Sequence, residues 1–408
     1  MRKILFDFLT LHSKNGAAEY TRRVFFTLLN KIHKKEIDSI IYCLYDSSSK
    51  PQYKELLPES LNDERVRFVD INIGIDKLNE LNCDVFFFGC AQNGSWHPEL
   101  QHLKCKSIIV FHDCVWEELY NNDLSIYMTL NGEDIFRHRE TEPVGRRIYW
   151  NLKSPTMRFC RWLLHVRQHG ILERGYNMVQ PSLNLFRKRE NNVIITVSDY
   201  SKRSLMYNFN IPESKIEVKF SPERVYDGNG GTCEEKRLKA IIDSGMKYYL
   251  LVSAGRIAKN AKKAITAFQH YAMLSPDSYI VTIGYRGELY EHHIDLPFLN
   301  DSDLQVAYAN CYALIYPSYF EGFGYPPLEA MRYGKPILSS NVCSMPEVLG
   351  DAPIYFSPIY ESAIFGALCH LKDGNYQDYA DKSRMQYAIV HERQEKDLKD
   401  LINIILSH

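Results

Sequence analysis

Two glutamates, Glu321 and Glu329, stand in the stretch Pro317–Glu329, PSYFEGFGYPPLE, separated by seven residues. A carboxylate accepts hydrogen bonds from hydroxyl-rich ligands, and its two oxygens suit a vicinal diol. Glu321 is therefore a candidate partner for sugar hydroxyls and Glu329 for a ribose diol. Gly322 and Gly324, on either side of Phe323, let a ligand approach the main chain closely. Pro326 and Pro327 suit the first turn of a helix. Backbone N–H groups at such a start favour an anionic or hydroxyl-rich ligand. The plainer alternative is a strand–helix turn whose carboxylates only complement the helix dipole.

Such a turn has to be held at a strand end, and the surrounding chain supplies strands. Short apolar, β-branched or aromatic runs alternate with amphipathic stretches, the pattern of an α/β fold with parallel sheets. In the first half the runs predict strands at Ile4–Leu9, Ser39–Leu44, Val66–Ile71, Asp84–Gly89, Ser107–Phe111 and Val193–Val197. In the second half they predict Tyr248–Val252, Ser278–Ile283, Tyr312–Tyr316, Pro336–Ser339 and Ile354–Phe356. Helical periodicity marks Ala17–Ile32, Ala261–Leu274, Asp301–Asn310 and Pro327–Tyr333. Ser221–Thr232, SPERVYDGNGGT, has linker composition. Domains are thus expected at 1–225 and 226–385, with a closing segment at 386–408. Residues 117–189 break the rhythm and are expected to be a helical insertion. Within it, 144–189 holds ten Lys or Arg against one acid, a local charge of +9. That segment is either a solvated basic face or a surface for an anionic membrane or lipid-linked phosphate.

The chain has 408 residues and a formal net charge of −1, so no global charge points to nucleic acid, and no nucleic-acid motif accompanies the basic segment. Hydrophobic residues make up 45%, enough for a substantial core. Asp7 interrupts the first apolar run and no small-residue cleavage site follows, so Met1–Leu11 is expected to be a strand rather than a signal peptide. No apolar run approaches the ~20 residues that span a bilayer. Ten cysteines without a C-x-x-C pair suit reduced thiols in a cytoplasm.

The stretch Ala313–Glu347, ALIYPSYFEGFGYPPLEAMRYGKPILSSNVCSMPE, resembles the signature of the family-4 retaining glycosyltransferases (group 1 type, GT-B fold). It has the two glutamates, the E-G-F-G turn, the L-E-A-M helix, the G-x-P strand entry and the later P-E. The resemblance implies two Rossmann-like domains facing a cleft, with a final helix crossing back to the first domain. It further implies a nucleotide-sugar donor (UDP- or GDP-linked), a saccharide or lipid-linked acceptor, and retention of anomeric configuration. No metal and no cofactor are implied beyond the donor as co-substrate. Ser253–Phe268, SAGRIAKNAKKAITAF, resembles the family's G-R…K element, which makes Arg256 and Lys259 the clamp on the donor diphosphate. Two cations there would neutralise the leaving group. Their spacing is shorter than the commoner one, so Lys262 and Lys263 stay open as the second cation. Ile108–Asp113, IIVFHD, resembles the strand ending in His-Asp, which assigns His112 to the donor sugar near the transfer point. Asn15-Gly16-Ala17-Ala18 resembles the first glycine loop; it has one glycine where the family often has more, so Gly16 is a donor-phosphate contact or a plain turn. Ser344 matches the nucleotide-side loop. The resemblance covers Tyr248–Phe356 well and the first half only at landmarks. It implies a cytoplasmic enzyme, peripheral on the membrane if 144–189 binds there, acting in cell-surface polysaccharide or glycoconjugate assembly. A nucleotide-sugar-binding subunit without activity, or a hydrolase or epimerase on the same fold, is the alternative.

Overall fold

The computed structural model describes residues 1–12, 15–48, 63–91, 97–114, 118, 156, 192–226, 233–285 and 287–407. The basic segment at 144–189 and most of the insertion at 117–189 lie outside the described residues. The described chain forms two compact units: it passes from the first to the second between Val225 and Tyr226, and the residues from His391 on belong with the first again.

The first unit is built on a seven-stranded sheet: β1 Arg2–Asp7, β2 Ser39–Tyr45, β3 Val66–Asp70, β4 Val85–Phe88, β5 Lys106–Phe111, β6 Asn192–Thr196 and β7 Ile216–Val218. Their order is β3-β2-β1-β4-β5-β6-β7, and every pairing is parallel. Parallel strands buried on both faces read as continuous apolar runs, which is why most were visible in the sequence. Phe6 stacks on Phe87 at 5.0 Å, and Phe8 meets Phe25 edge-on at 4.9 Å. Phe25 comes from the helix Gly16–His33, which buries Tyr20, Val24, Leu28, Leu29 and Ile32 along one stripe. Each such fully buried side chain contributes roughly 1.5–3 kcal/mol of transfer free energy.

The second unit has six strands: β8 Lys247–Leu251, β9 Ser278–Ile283, β10 His293–Leu296, β11 Ala313–Tyr316, β12 Ile337–Ser340 and β13 Ile354–Phe356. Their order is β10-β9-β8-β11-β12-β13, again all parallel. In both sheets the chain winds outward from its first strand, then returns to the other side of it. The order reverses between β1 and β4 and again between β8 and β11. Ligands of open parallel sheets bind beyond the carboxyl ends of strands at such a reversal.

Three features add to or change what the sequence led one to expect. β7 and β10 are additional strands; both are edge strands of three and four residues, too short and polar to show a pattern. Ser198, just beyond β6, serves the fold: its Oγ accepts from Ser201 N at 3.1 Å and caps the helix Asp199–Phe209. The final helix begins at Asp373, well before the closing segment expected at 386–408, and runs to Ser407. Its buried stripe passes through Ala380, Ser383, Val390, Gln394, Asp397, Leu398, Leu401, Ile402 and Ile405. The first part of that stripe is small or polar, so hydrophobic periodicity showed only the last third.

Candidate active site

In the second unit, the loops after β8 and β11 meet at the order reversal. Ile257–Lys259 forms one 3-10 turn after β8. Asn260 follows in the left-handed region (φ 55°) and leads into the helix Ala261–Ala272. Its side chain does not cap that helix. Instead Nδ2 donates to Pro317 O at 3.1 Å and to Pro358 O at 2.9 Å. Tyr319 N donates to Ala258 O at 2.9 Å. The chain beyond β8 is thereby tied to the segments that follow β11 and β13.

This stapling delivers Lys259 to Glu321. Their side chains are only 9% and 14% exposed, and they form a very short ion pair. Lys259 Nζ also donates to Tyr316 Oη at 2.7 Å and lies 4.6 Å from that ring's centre. Burial alone would push the Glu321 carboxyl up; the Lys259 ammonium beside it wins and holds it below the usual carboxylate range. Burial, and next the Glu321 charge, drive the Tyr316 phenol far above its ordinary value. An enclosed pair of this kind persists because each ion has further partners; removing one leaves an uncompensated charge. Sequence reading gave Lys259 and Glu321 separate duties on diphosphate and sugar. The structure makes them direct partners.

The other expected residues surround this pair. Ser344 is buried, and its Oγ donates to Glu321 O at 2.9 Å, fixing the turn. Gly322 and Phe323 are buried in the same turn. Gly324 has φ 92°, which favours glycine, and a Cβ there would lie 2.5 Å from Met345 Cε, the end of a flexible side chain that would have to shift. It opens the helix Tyr325–Arg332, which has no side-chain cap. Of its first three residues only Tyr325 carries an N–H, because Pro326 and Pro327 have none, so this start offers an anion few main-chain donors. Glu329 is buried in that helix, and Tyr308 Oη donates to its Oε2 at 2.6 Å. Arg256 is exposed, and its guanidinium makes no hydrogen bond or ion pair among the described residues. Of the alternative cations, Lys263 is committed to Ile359 O at 2.7 Å, while Lys262 is exposed.

In the first unit, Gly16 is the first residue of its helix, which Asn15 caps by accepting from Ala18 N at 3.0 Å. His112 follows β5, is partly buried, and sets its Nε2 at 2.8 Å from Gly89 O. A carbonyl oxygen only accepts, so Nε2 carries the proton and Nδ1 keeps a lone pair. Tyr20 packs edge-on against the imidazole at 5.1 Å. Burial lowers the His112 pKa to about 4 against the opposing hydrogen bond to Gly89, so the ring is neutral near pH 7.

Sequence reading missed Tyr316, Asn260, Tyr308 and Asp7. Tyr316 and Asp7 are the last residues of β11 and β1, the strand ends nearest each order reversal, which was the available signal. Asn260 and Tyr308 had none, because their roles are side-chain contacts across 57, 98 and 21 residues. Among the described residues, no group of three or more His, Cys, Asp or Glu could hold a metal ion, and no helix is long and apolar enough to cross a membrane.

Residues 233–358 match the family model described as "Glycosyl transferases group 1". O-antigen chain mannosyltransferase B of Escherichia coli is 31% identical over 204 residues, 46% of this chain and 54% of that protein. O-antigen chain mannosyltransferase RfbU of Salmonella typhimurium is 30% identical over 194 residues, 44% and 50%. The chain thus spans about half the length of the curated relatives it matches. Among solved structures, HepE of Anabaena in complex with UDP-glucose superimposes with a TM-score of 0.64 at 13% identity, covering 100% of both chains. Sucrose-phosphate synthase from Thermosynechococcus elongatus gives 0.62 at 10% identity over 100% of both. These likenesses establish the fold, which is GT-B as the resemblance implied.

Proposed function

We infer that this chain, a GT-B protein with a group 1 glycosyltransferase domain at residues 233–358, transfers a hexose from a nucleotide sugar to a saccharide acceptor in polysaccharide assembly. The observation that carries the reading is the Lys259–Glu321 pair, with Arg256 beside it in sequence, at the order reversal of a parallel sheet. Mannose is the favoured hexose, because the curated relatives are named mannosyltransferases. The likeness to HepE supports a nucleotide-sugar donor in general, UDP- or GDP-linked.

In this reading Arg256 and Lys259 neutralise the departing diphosphate, so the chemistry calls for no metal. The diphosphate offers Lys259 a second anion, and Glu321 turns its oxygens to the sugar hydroxyls. The Gly322–Gly324 main chain flanks the sugar, Glu329 takes the ribose diol, and Ser344 holds the turn on the nucleotide side. Gly16 opens a capped helix start suited to phosphate. His112 accepts a hydroxyl hydrogen of the substrate at Nδ1. The acceptor hydroxyl attacks an oxocarbenium-like sugar on the face the diphosphate leaves, and the leaving phosphate takes its proton; configuration is retained. The +9 charge of residues 144–189 suits a lipid-linked acceptor at an anionic, cytoplasmic membrane face.

The test starts with thermal shifts over UDP, GDP, UDP-glucose and GDP-mannose. A ligand at a hundred times its Kd stabilises by about 2.7 kcal/mol, and GDP-mannose is expected to raise the Tm. Radiolabelled donor should then slowly release sugar, and Arg256→Ala and Glu321→Ala should each reduce release by roughly 10²–10³-fold. Equal turnover in the variants overturns the site. Donor binding with neither release nor transfer would make the chain a non-catalytic subunit instead.

A further inference from the structure

One carboxylate in the first unit lies at its sheet's order reversal and has no role in the reading above. Asp7, the last residue of β1, is wholly buried. It accepts from Thr10 N at 3.1 Å, from Thr10 Oγ1 in a very short bond, and from Gly89 N at 3.1 Å. Gly89 directly follows β4. Its N–H is thus held by Asp7 while its carbonyl receives His112 Nε2. The third side of Gly89 is closed by the helix Gly16–His33: a Cβ would collide with the Thr21 side chain, itself anchored to Ala17 O at 2.8 Å. Gly89 therefore has one orientation, fixed by a carboxylate on one side and a helix on another.

We propose that Asp7 is a positioning residue, which acts through Gly89 to hold His112 as the Nε2–H tautomer with Nδ1 presented to substrate. The inference rests on the role given to His112 above. An anion is suited to the task because these three groups bonded to Asp7 are all donors. An asparagine there would turn its NH2 toward one of them and leave two donors opposed. Burying that anion is unfavourable: burial raises the Asp7 pKa to about 6 despite the bonds from Thr10 and Gly89. A group that merely closed a turn could be neutral. Partners that orient a metal-bound histidine through its other ring nitrogen typically matter by about 10–100-fold, and an effect of that size is expected for an oriented histidine here.

The experiment is nitrogen-15 NMR of full-length, histidine-labelled protein, with the His112 signals assigned from their absence in His112→Gln. The wild type should show His112 neutral with the proton on Nε2. Asp7→Asn should give a mixture of tautomers and lower the kcat of donor turnover by roughly 10–100-fold with little change in donor KM. In the His112→Gln background, Asp7→Asn should cost nothing further, since the two act as one unit. An Nδ1–H tautomer in the wild type overturns the proposal without any variant, should Asp7→Asn fold poorly. An unchanged tautomer and kcat in Asp7→Asn overturns it as well. Full activity of His112→Gln would instead refute the role of His112, leaving the tautomer result to judge the Asp7 contact alone.

Discussion

His112 and Asp7 illustrate how burial sets the state of single residues. The His112 pKa lies near 4, below its ordinary 6.5, so the folded chain binds that proton more weakly than the unfolded chain. Its contribution to stability is therefore full above pH 6.5 and is lost as pH falls toward 4. Asp7 runs the other way. Its folded pKa near 6 exceeds the ordinary 3.8, so its contribution is most favourable below pH 3.8 and is lost as pH rises through 6. The windows overlap, so a comparison of variants separates them. Between pH 7.5 and pH 5, His112→Gln should lose less thermal stability than the wild type. Equal losses would mean that the imidazole is not held neutral by the fold. At this scale the sequence was informative about identity: Glu321 stood out by type and spacing, and the family resemblance singled out Arg256, Lys259 and His112. It was silent about partners. Lys259 and Glu321 are 62 residues apart, and only folding makes them an ion pair.

Among the elements, long buried strands were legible and their ends were not. β2, β5 and β9 are six or seven residues of mostly apolar side chains, and β1 has the apolar centre Ile4-Leu5-Phe6. The edge strands β7 and β10, Ile216-Glu217-Val218 and His293-Ile294-Asp295-Leu296, alternate over only three and four residues, too short a run to stand out. The turn at Asn260 is the clearest case of structure hidden from pattern. Its left-handed conformation and its two carbonyl partners together set where Lys259 points. Asn260→Gly keeps the conformation but drops both hydrogen bonds, while Asn260→Ala also adds the left-handed strain of about 1–2 kcal/mol. Urea denaturation should therefore find the wild type most stable, Asn260→Gly next and Asn260→Ala least, with the bonds themselves worth about 1 kcal/mol each. Identical midpoints for the two variants would show that the turn relaxes out of that conformation. Gly324 is the counterpart on the other loop: with φ 92° and Met345 behind it, Gly324→Ala should destabilise the second unit by roughly 1–3 kcal/mol.

For the molecule as a whole, the C-terminal helix shows that chain order and unit membership differ. Residues beyond Val390 belong with the first unit. Asp397 accepts from Phe220 N at 2.9 Å, Gln394 donates to Ser221 O at 2.6 Å, and Arg393 lies 3.5 Å from the Phe220 ring centre. Ending the chain at Val390 should raise hydrogen exchange at Phe220 and along β6 and β7, leaving β8 to β13 protected. Unchanged exchange at Phe220 would show that the helix end is dispensable to the first unit. The amino-acid sequence by itself determined the α/β class, most of the strands, the E-G-F-G turn and the types of the candidate catalytic residues. Those properties rest on local periodicity and on side-chain chemistry, which neighbours in sequence carry. Tertiary structure alone decided the strand order that puts β8 beside β11, the pairing of Lys259 with Glu321, the tautomer of His112 and the burial of Asp7. Each of these depends on contacts between segments tens of residues apart, where hydrogen-bond geometry and loss of solvent, rather than residue type, choose the state.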